Sequence, residues 1–195
     1  MIHYQQFSFG SPMRCKGDLF VFLCNAHGLN KEGCTKVGHL WTVDQPSQDP
    51  PFVLTMVRHP FHWLLDFHSF CEEQKRTFVV FHLEQFFKRT KNEPLLQLAL
   101  EYQKSKTIQE FIENTLKSKD LISNVFRAYN ANSCIRYEDF PWCAQEFLES
   151  LGCKQRLVDI DLTKPVENQN AELEQVYKKE ILKNEPWLKE TFSYW

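Results

Sequence analysis

Phe52-Val53-Leu54-Thr55-Met56-Val57 is an unbroken run of apolar and β-branched positions behind Pro50-Pro51. Its hydropathy does not alternate, so the pattern predicts a strand covered on both faces, as in a parallel sheet. Arg58-His59-Pro60 comes at once after it, and proline bars its predecessor from the α region, so the strand must turn sharply here. Phe61, Leu64, Leu65 and His68 then recur at helical spacing. An arginine is thereby placed at the carboxyl end of a buried strand, beside a helix start. Ligands bind at that place in open α/β sheets, and the guanidinium fork matches phosphate. The alternative use of Arg58 is a pairing with a nearby carboxylate or carbonyl.

The same patterning organises the rest of the chain. Phe7 and Phe9 alternate with polar positions before Gly10-Ser11-Pro12, which predicts a short first strand and a turn. Asp18 is the expected N-cap of a helix through Leu19, Phe20, Phe22, Leu23 and Ala26, with Gly28 as its stop. Residues 30–51, rich in Gly, Pro, Asp and Gln, read as a loop. Phe61 to Lys91 reads as mostly helical, with a β-like interruption from Thr77 to Phe81. Pro94 opens a helix with Leu95, Leu98, Ala99 and Tyr102 on one stripe, and Thr107-Ile108-Gln109-Glu110 has capping-box form. Ser133 to Tyr137 predicts a further strand, and Asp139 with Pro141 a helix start closing at Gly152. Glu167 to Asn184 is the expected last long helix, ended by Pro186. Helices alternating with a few strands predict one α/β domain over residues 1–195, with a small parallel sheet flanked by helices and a helix-rich C-terminal half.

Composition narrows the function classes. Of 195 residues 43% are hydrophobic and 17 are phenylalanine, enough for a sizeable core. The net charge of -2 lacks the basic excess of a nucleic-acid binder, so affinity for anions has to be local. Leu19-Phe20-Val21-Phe22-Leu23-Cys24 is far too short to span a bilayer, and no secretory signal is expected. Seven cysteines without CxxC spacing predict reduced thiols and a cytoplasmic protein. Cys15, Cys24, His27 and Cys34 match no common zinc spacing. His62 and Asp66 share a helix face near His59 and His68, but spacing supplies no third ligand.

Three segments carry a family resemblance. Val57-Arg58-His59-Pro60 with its strand and helix resembles the 3′-phosphate-binding segment of sulfotransferases. Cys134-Ile135-Arg136-Tyr137-Glu138-Asp139-Phe140 resembles the family's later "(I/L)RYEDL" strand end, with Phe147-Leu148-Glu149-Ser150-Leu151-Gly152 as the helix after it. Glu190-Thr191-Phe192-Ser193-Tyr194 is similar to the ending of short bacterial members. The resemblance implies a P-loop-type fold that transfers a sulfuryl group from 3′-phosphoadenosine 5′-phosphosulfate to a hydroxyl or amine, with no metal. Aligned without gaps, Met13-Arg14-Cys15-Lys16-Gly17-Asp18 resembles the family's 5′-phosphosulfate loop. By resemblance Arg58 would hold the 3′-phosphate, and Arg14, Cys15, Lys16 and Gly17 the 5′ end. His39, in a Gly-His pair before the central strand, would serve as catalytic base.

Two departures point the other way. Asp18 stands where the family has a loop threonine, and Asp66 where it has a serine. Each puts negative charge where an anion should sit. Two unit charges about 4 Å apart cost on the order of 4 kcal/mol at an effective dielectric near 20. The alternative expectation is therefore a sulfotransferase-like scaffold that has lost transfer and serves as a binding or structural module.

Overall fold

A computed structural model describes residues 1–29, 31–34, 36–37, 40–41, 52–77, 82–153 and 170–194. Its centre is the expected buried strand, β6 (Val53–Val57), in which every residue is buried. It is preceded by β1 (Ile2–Tyr4), β2 (Ser8–Phe9), β3 (Lys31–Cys34), β4 (Lys36–Val37) and β5 (Leu40–Trp41), and followed by β7 (Ser133–Arg136). The main sheet runs β3-β1-β2-β6-β7. β2 and β7 flank β6 in parallel, with Phe9 opposite Leu54 and Val57 opposite Arg136. The first, central and late strands read from the sequence are therefore neighbours in one sheet.

The expectation of a wholly parallel sheet is corrected. β1 pairs antiparallel with both β2 and β3, so the sheet is mixed. Part of the stretch read as loop, Lys31–Cys34, is the edge strand, and Lys36–Val37 pairs with Leu40–Trp41 in a separate ladder. These strands are short, and pairing rather than propensity makes them strands.

The helices follow their sequence signals more closely. α1 (Gly17–Ala26) stops at Gly28, whose φ of 81 is the left-handed value that glycine adopts freely. It starts earlier than Asp18 capping requires: Lys16 takes the capping position and Asp18 falls within the first turn. α2 (Pro60–Thr77) opens on its proline, α3 spans Leu83–Lys88, and residues 78–81 of the β-like interruption lie outside the described residues. α4 (Glu93–Lys104) buries the stripe of Leu95, Leu98, Ala99 and Tyr102. In α5 (Ile108–Leu116) Thr107 Oγ1 accepts from the Glu110 N–H at 3.1 Å, and the Glu110 carboxylate accepts from the Lys106 N–H at 2.7 Å.

α6 (Leu121–Arg127) has no side-chain cap from its own N-terminal residue. Its N-terminal N–H groups at Ile122 and Ser123 are met by Glu185, at 3.0 and 2.7 Å. A 3-10 turn (Tyr137–Asp139) leads into α7 (Trp142–Ser150), closed at Gly152 as expected. The last long helix is described from Ala171, and residues 167–169 of the expected span lie outside the described residues. Pro186 both ends this α8 (Ala171–Asn184) and opens α9 (Pro186–Phe192).

Aromatic rings hold the layers together. Phe7 meets Phe20 of α1 at 6.2 Å and Phe147 of α7 at 5.1 Å. On α2, Trp63 meets Phe126 of α6 at 5.4 Å, and Phe67 meets Phe87 of α3 at 5.4 Å and Phe111 of α5 at 5.9 Å. Trp63 also donates Nε1–H to the Met13 carbonyl at 2.9 Å, which ties α2 to the loop after β2.

That loop leaves the sheet at Gly10, where the backbone passes the Tyr129 ring. A Cβ at Gly10 would lie 2.7 Å from Cδ1 of the Tyr129 ring, which is 2% exposed, so the ring or the backbone has to shift. Gly10→Ala is therefore expected to destabilise the fold by about 1–3 kcal/mol in denaturant unfolding, as overpacking does. An unchanged midpoint would show that the ring moves freely.

Candidate functional site

The carboxyl ends of β2, β6 and β7 lie side by side, and each feeds a turn that leads into a helix. Parallel strands with such exits form the edge where open α/β sheets place ligands. From β2 the chain runs through residues 10–16 into α1. Arg14 and Lys16 there adopt left-handed backbone, with φ of 60 and 54. For residues with a Cβ this conformation costs of order 1 kcal/mol or more each, and loops of this kind turn N–H groups toward one side. Cys15, between them, points inward and is 1% exposed, and burial pushes its thiol well above the ordinary range.

Arg58 sits at the end of β6 and is 5% exposed. Its charge is compensated on three sides. Asp66, two turns along α2, forms an ion pair with Nη1. The Arg14 carbonyl accepts from the same nitrogen at 3.1 Å. The Tyr137 ring lies 4.2 Å from Cζ. The structure thus brings Arg58, Arg14 and Asp66 together as the sequence motifs suggest, and it spends Asp66 on Arg58, not on His62. His62 faces Glu174 of α8 instead, at 3.6 Å.

The second loop cation has a carboxylate as well. Arg14 pairs with Glu73 of α2 and lies 5.8 Å above the Phe70 ring. Asp66 and Glu73 are seven residues apart on one helix, and so both look toward the loop. Lys16 differs. Its Nζ lies 4.0 Å from the Tyr137 ring and 5.7 Å from Phe140. Burial, and then Arg58, make its proton easier to lose than that of an ordinary lysine. A cavity of about 370 Å³ opens beside these groups, lined among others by Arg14, Lys16, Asp18, Phe70, Glu73 and Gln74.

Behind the site Glu138 is the hub. One carboxylate oxygen accepts from the His59 backbone N–H and the other from the Tyr194 hydroxyl, both at 2.8 Å. It therefore joins the β6 exit, the β7 exit and the C-terminal segment. His59 is 6% exposed and its Nδ1 accepts from the Phe61 N–H at 3.2 Å, so it caps α2. Its ring packs against Tyr194 at 5.1 Å and His62 at 4.9 Å.

Glu73 and Phe70 join the site without a motif to name them in the sequence, whereas Tyr137 comes from the Arg136-Tyr137-Glu138-Asp139 segment. The spacing of Asp66, Phe70 and Glu73 on a helix is the signal that could find them. His39, the expected base, lies outside the described residues. Among the described residues no three His, Cys, Asp or Glu side chains are grouped to hold a metal, and no helix is long and apolar enough to cross a membrane. Comparison with protein-family models, curated proteins and solved structures gives no match.

The buried histidine has a consequence for stability. Burial, reinforced by His62, lowers the pKa of His59 from 6.5 to about 3, and His62 and His68 are lowered as well. An unfolded chain takes up these protons near pH 6.5 while the folded one resists. The His59 contribution is therefore full above pH 6.5 and is lost as pH falls from 6.5 toward 3. Glu185, whose carboxyl is raised by burial, works in the opposite sense. Unfolding free energy should accordingly fall on acidification below pH 6.5 at up to about 1.4 kcal/mol per pH unit for His59. His59→Asn keeps an acceptor for Phe61 and should flatten that slope. An equal slope in the variant would locate the effect elsewhere.

Proposed function

We propose that the chain is a sulfotransferase-like binding module, a reduced P-loop-type scaffold whose own carboxylates take the places of the cofactor's anions. One observation carries the reading: both arginines expected to hold phosphate are already paired, Arg58 with Asp66 and Arg14 with Glu73. A phosphate entering at Arg58 has to displace Asp66 or sit beside it. The second choice costs on the order of 4 kcal/mol at about 4 Å separation. That offsets the roughly 1.5–3 kcal/mol of a charge-assisted hydrogen bond.

Sulfuryl transfer from 3′-phosphoadenosine 5′-phosphosulfate to a hydroxyl or amine is the second reading. It is favoured by the convergence of the β2 loop with the strand-end arginine, where Arg58 Nη1 reaches the Arg14 carbonyl at 3.1 Å. On that reading Asp66 and Glu73 swing away when nucleotide binds. Arg14, Lys16 and the Gly17 backbone then receive the 5′ end, Arg58 the 3′-phosphate, and His39 the acceptor's proton.

Calorimetric titration with 3′-phosphoadenosine 5′-phosphate separates the two. The module predicts a dissociation constant of about 1 mM or weaker for the wild type. Asp66→Ser combined with Asp18→Thr should tighten it by about tenfold or more. Tight binding by the wild type, with no gain in the variant, would overturn the module in favour of the transferase.

A further inference from the structure

We propose that the outer face of α7 docks a basic amphipathic helix of a partner protein. Three large apolar side chains are well exposed among the described residues: Phe22 on α1, Trp142 on α7 and Val176 on α8. Trp142 is the extreme, at 71%. Tryptophan seldom stands so far into water in a folded chain, and at interfaces it is among the side chains that carry most of the binding energy. α7 buries Ala144 and Leu148 and packs Phe147 against Phe7 and Phe20, which leaves Trp142 on the side turned away from the core. Phe22 is likewise on the outer side of the neighbouring α1, whose Phe20 faces Phe147.

The charges around Trp142 decide the occupant. Glu146 and Glu149 follow it at i+4 and i+7, so the three form one stripe about 10 Å long. From Tyr137 to Cys153 the chain has four acidic residues and no lysine or arginine. Glu138 is spent on His59 and Tyr194, and Asp139 lies 3.3 Å from Arg136. Glu146 and Glu149 remain, exposed and without an ion pair among the described residues. They stand toward the carboxyl end of α7, where the helix dipole disfavours a carboxylate and no basic residue offsets it. A cationic partner relieves that penalty, and the Trp142 face attracts the same charge. Val176 differs, because its neighbours at helical spacing are Glu172, Lys179 and Glu180, exposed charges of both signs on an ordinary solvated face. The acidic stripe repels the phosphates of nucleic acids and of anionic lipids. It is also longer than a single ammonium group can span. A helix with basic residues one turn apart beside an apolar one matches it in period as well as in sign. This surface is independent of how the Arg58 edge is read.

An alanine-based helical peptide with one leucine, and lysines one and two turns from it, serves as the probe. Its counterpart with glutamates for lysines is the control. Calorimetric titration of the whole chain at low salt should show saturable binding of the lysine peptide and none of the glutamate peptide. Trp142→Ala should weaken binding by about tenfold or more, and so should Glu146→Gln combined with Glu149→Gln. Glu172→Gln with Glu180→Gln removes the same charge from α8 and should leave the affinity unchanged. All these positions are exposed, and an unchanged thermal midpoint shows that folding is intact. Absence of saturable binding to the wild type overturns the proposal, as does full affinity in Trp142→Ala. Equal weakening by the α8 pair overturns it as well, since net charge alone would then hold the peptide. A wild-type dimer in sedimentation that Trp142→Ala dissolves overturns it in favour of a second copy of this chain.

Discussion

A guanidinium at the end of a buried strand has to be neutralised before the surrounding layers can close. Arg58 is 5% exposed, and an unpaired charge in that position would cost several kcal/mol. Its compensation draws in three separate parts of the chain: Asp66 from α2, the Arg14 carbonyl from the loop after β2, and the Tyr137 face from the turn after β7. These are the segments that flank the carboxyl edge of the parallel strands. The Arg58–Asp66 pair thus joins Trp63 and its bond to the Met13 carbonyl in holding α2 against the loop.

In chemical terms the cations of this edge are occupied from within. Asp66 and Glu73 satisfy Arg58 and Arg14 along one face of α2, and Glu138 secures the same corner from behind through His59 and Tyr194. Lys16 is the exception, held over the Tyr137 and Phe140 rings with no carboxylate partner among the described residues.

Much of this frame is legible in the residues. The non-alternating run Val53–Val57, the proline after it, the Thr107 capping box and the glycines at 28 and 152 act through local physics, and each produces the element it predicts. The antiparallel additions at the sheet edge are not legible, because Ile2–Tyr4 and Lys31–Cys34 are strands through their pairing, β1 with both β2 and β3. α6 escapes sequence reasoning for a related reason: its cap, Glu185, lies 63 residues away from Ile122. The start of α1 is displaced from Asp18, since Lys16 accepts a left-handed conformation that its type disfavours. In the site itself the motifs name Arg58, Arg14 and Asp66. Which charges pair is decided by tertiary placement, which sequence spacing alone does not contain.

The central claim is that Arg58 and Asp66 act as one unit, and a double-mutant cycle on that pair tests it most directly. Unfolding free energies of the wild type, Arg58→Met, Asp66→Leu and the double variant give the coupling free of other contributions. The account predicts a favourable coupling of about 2 kcal/mol or more, with the double variant no less stable than Asp66→Leu alone. A coupling near zero would contradict it, because Arg58 would then be stabilised without its carboxylate and would be available to an external anion.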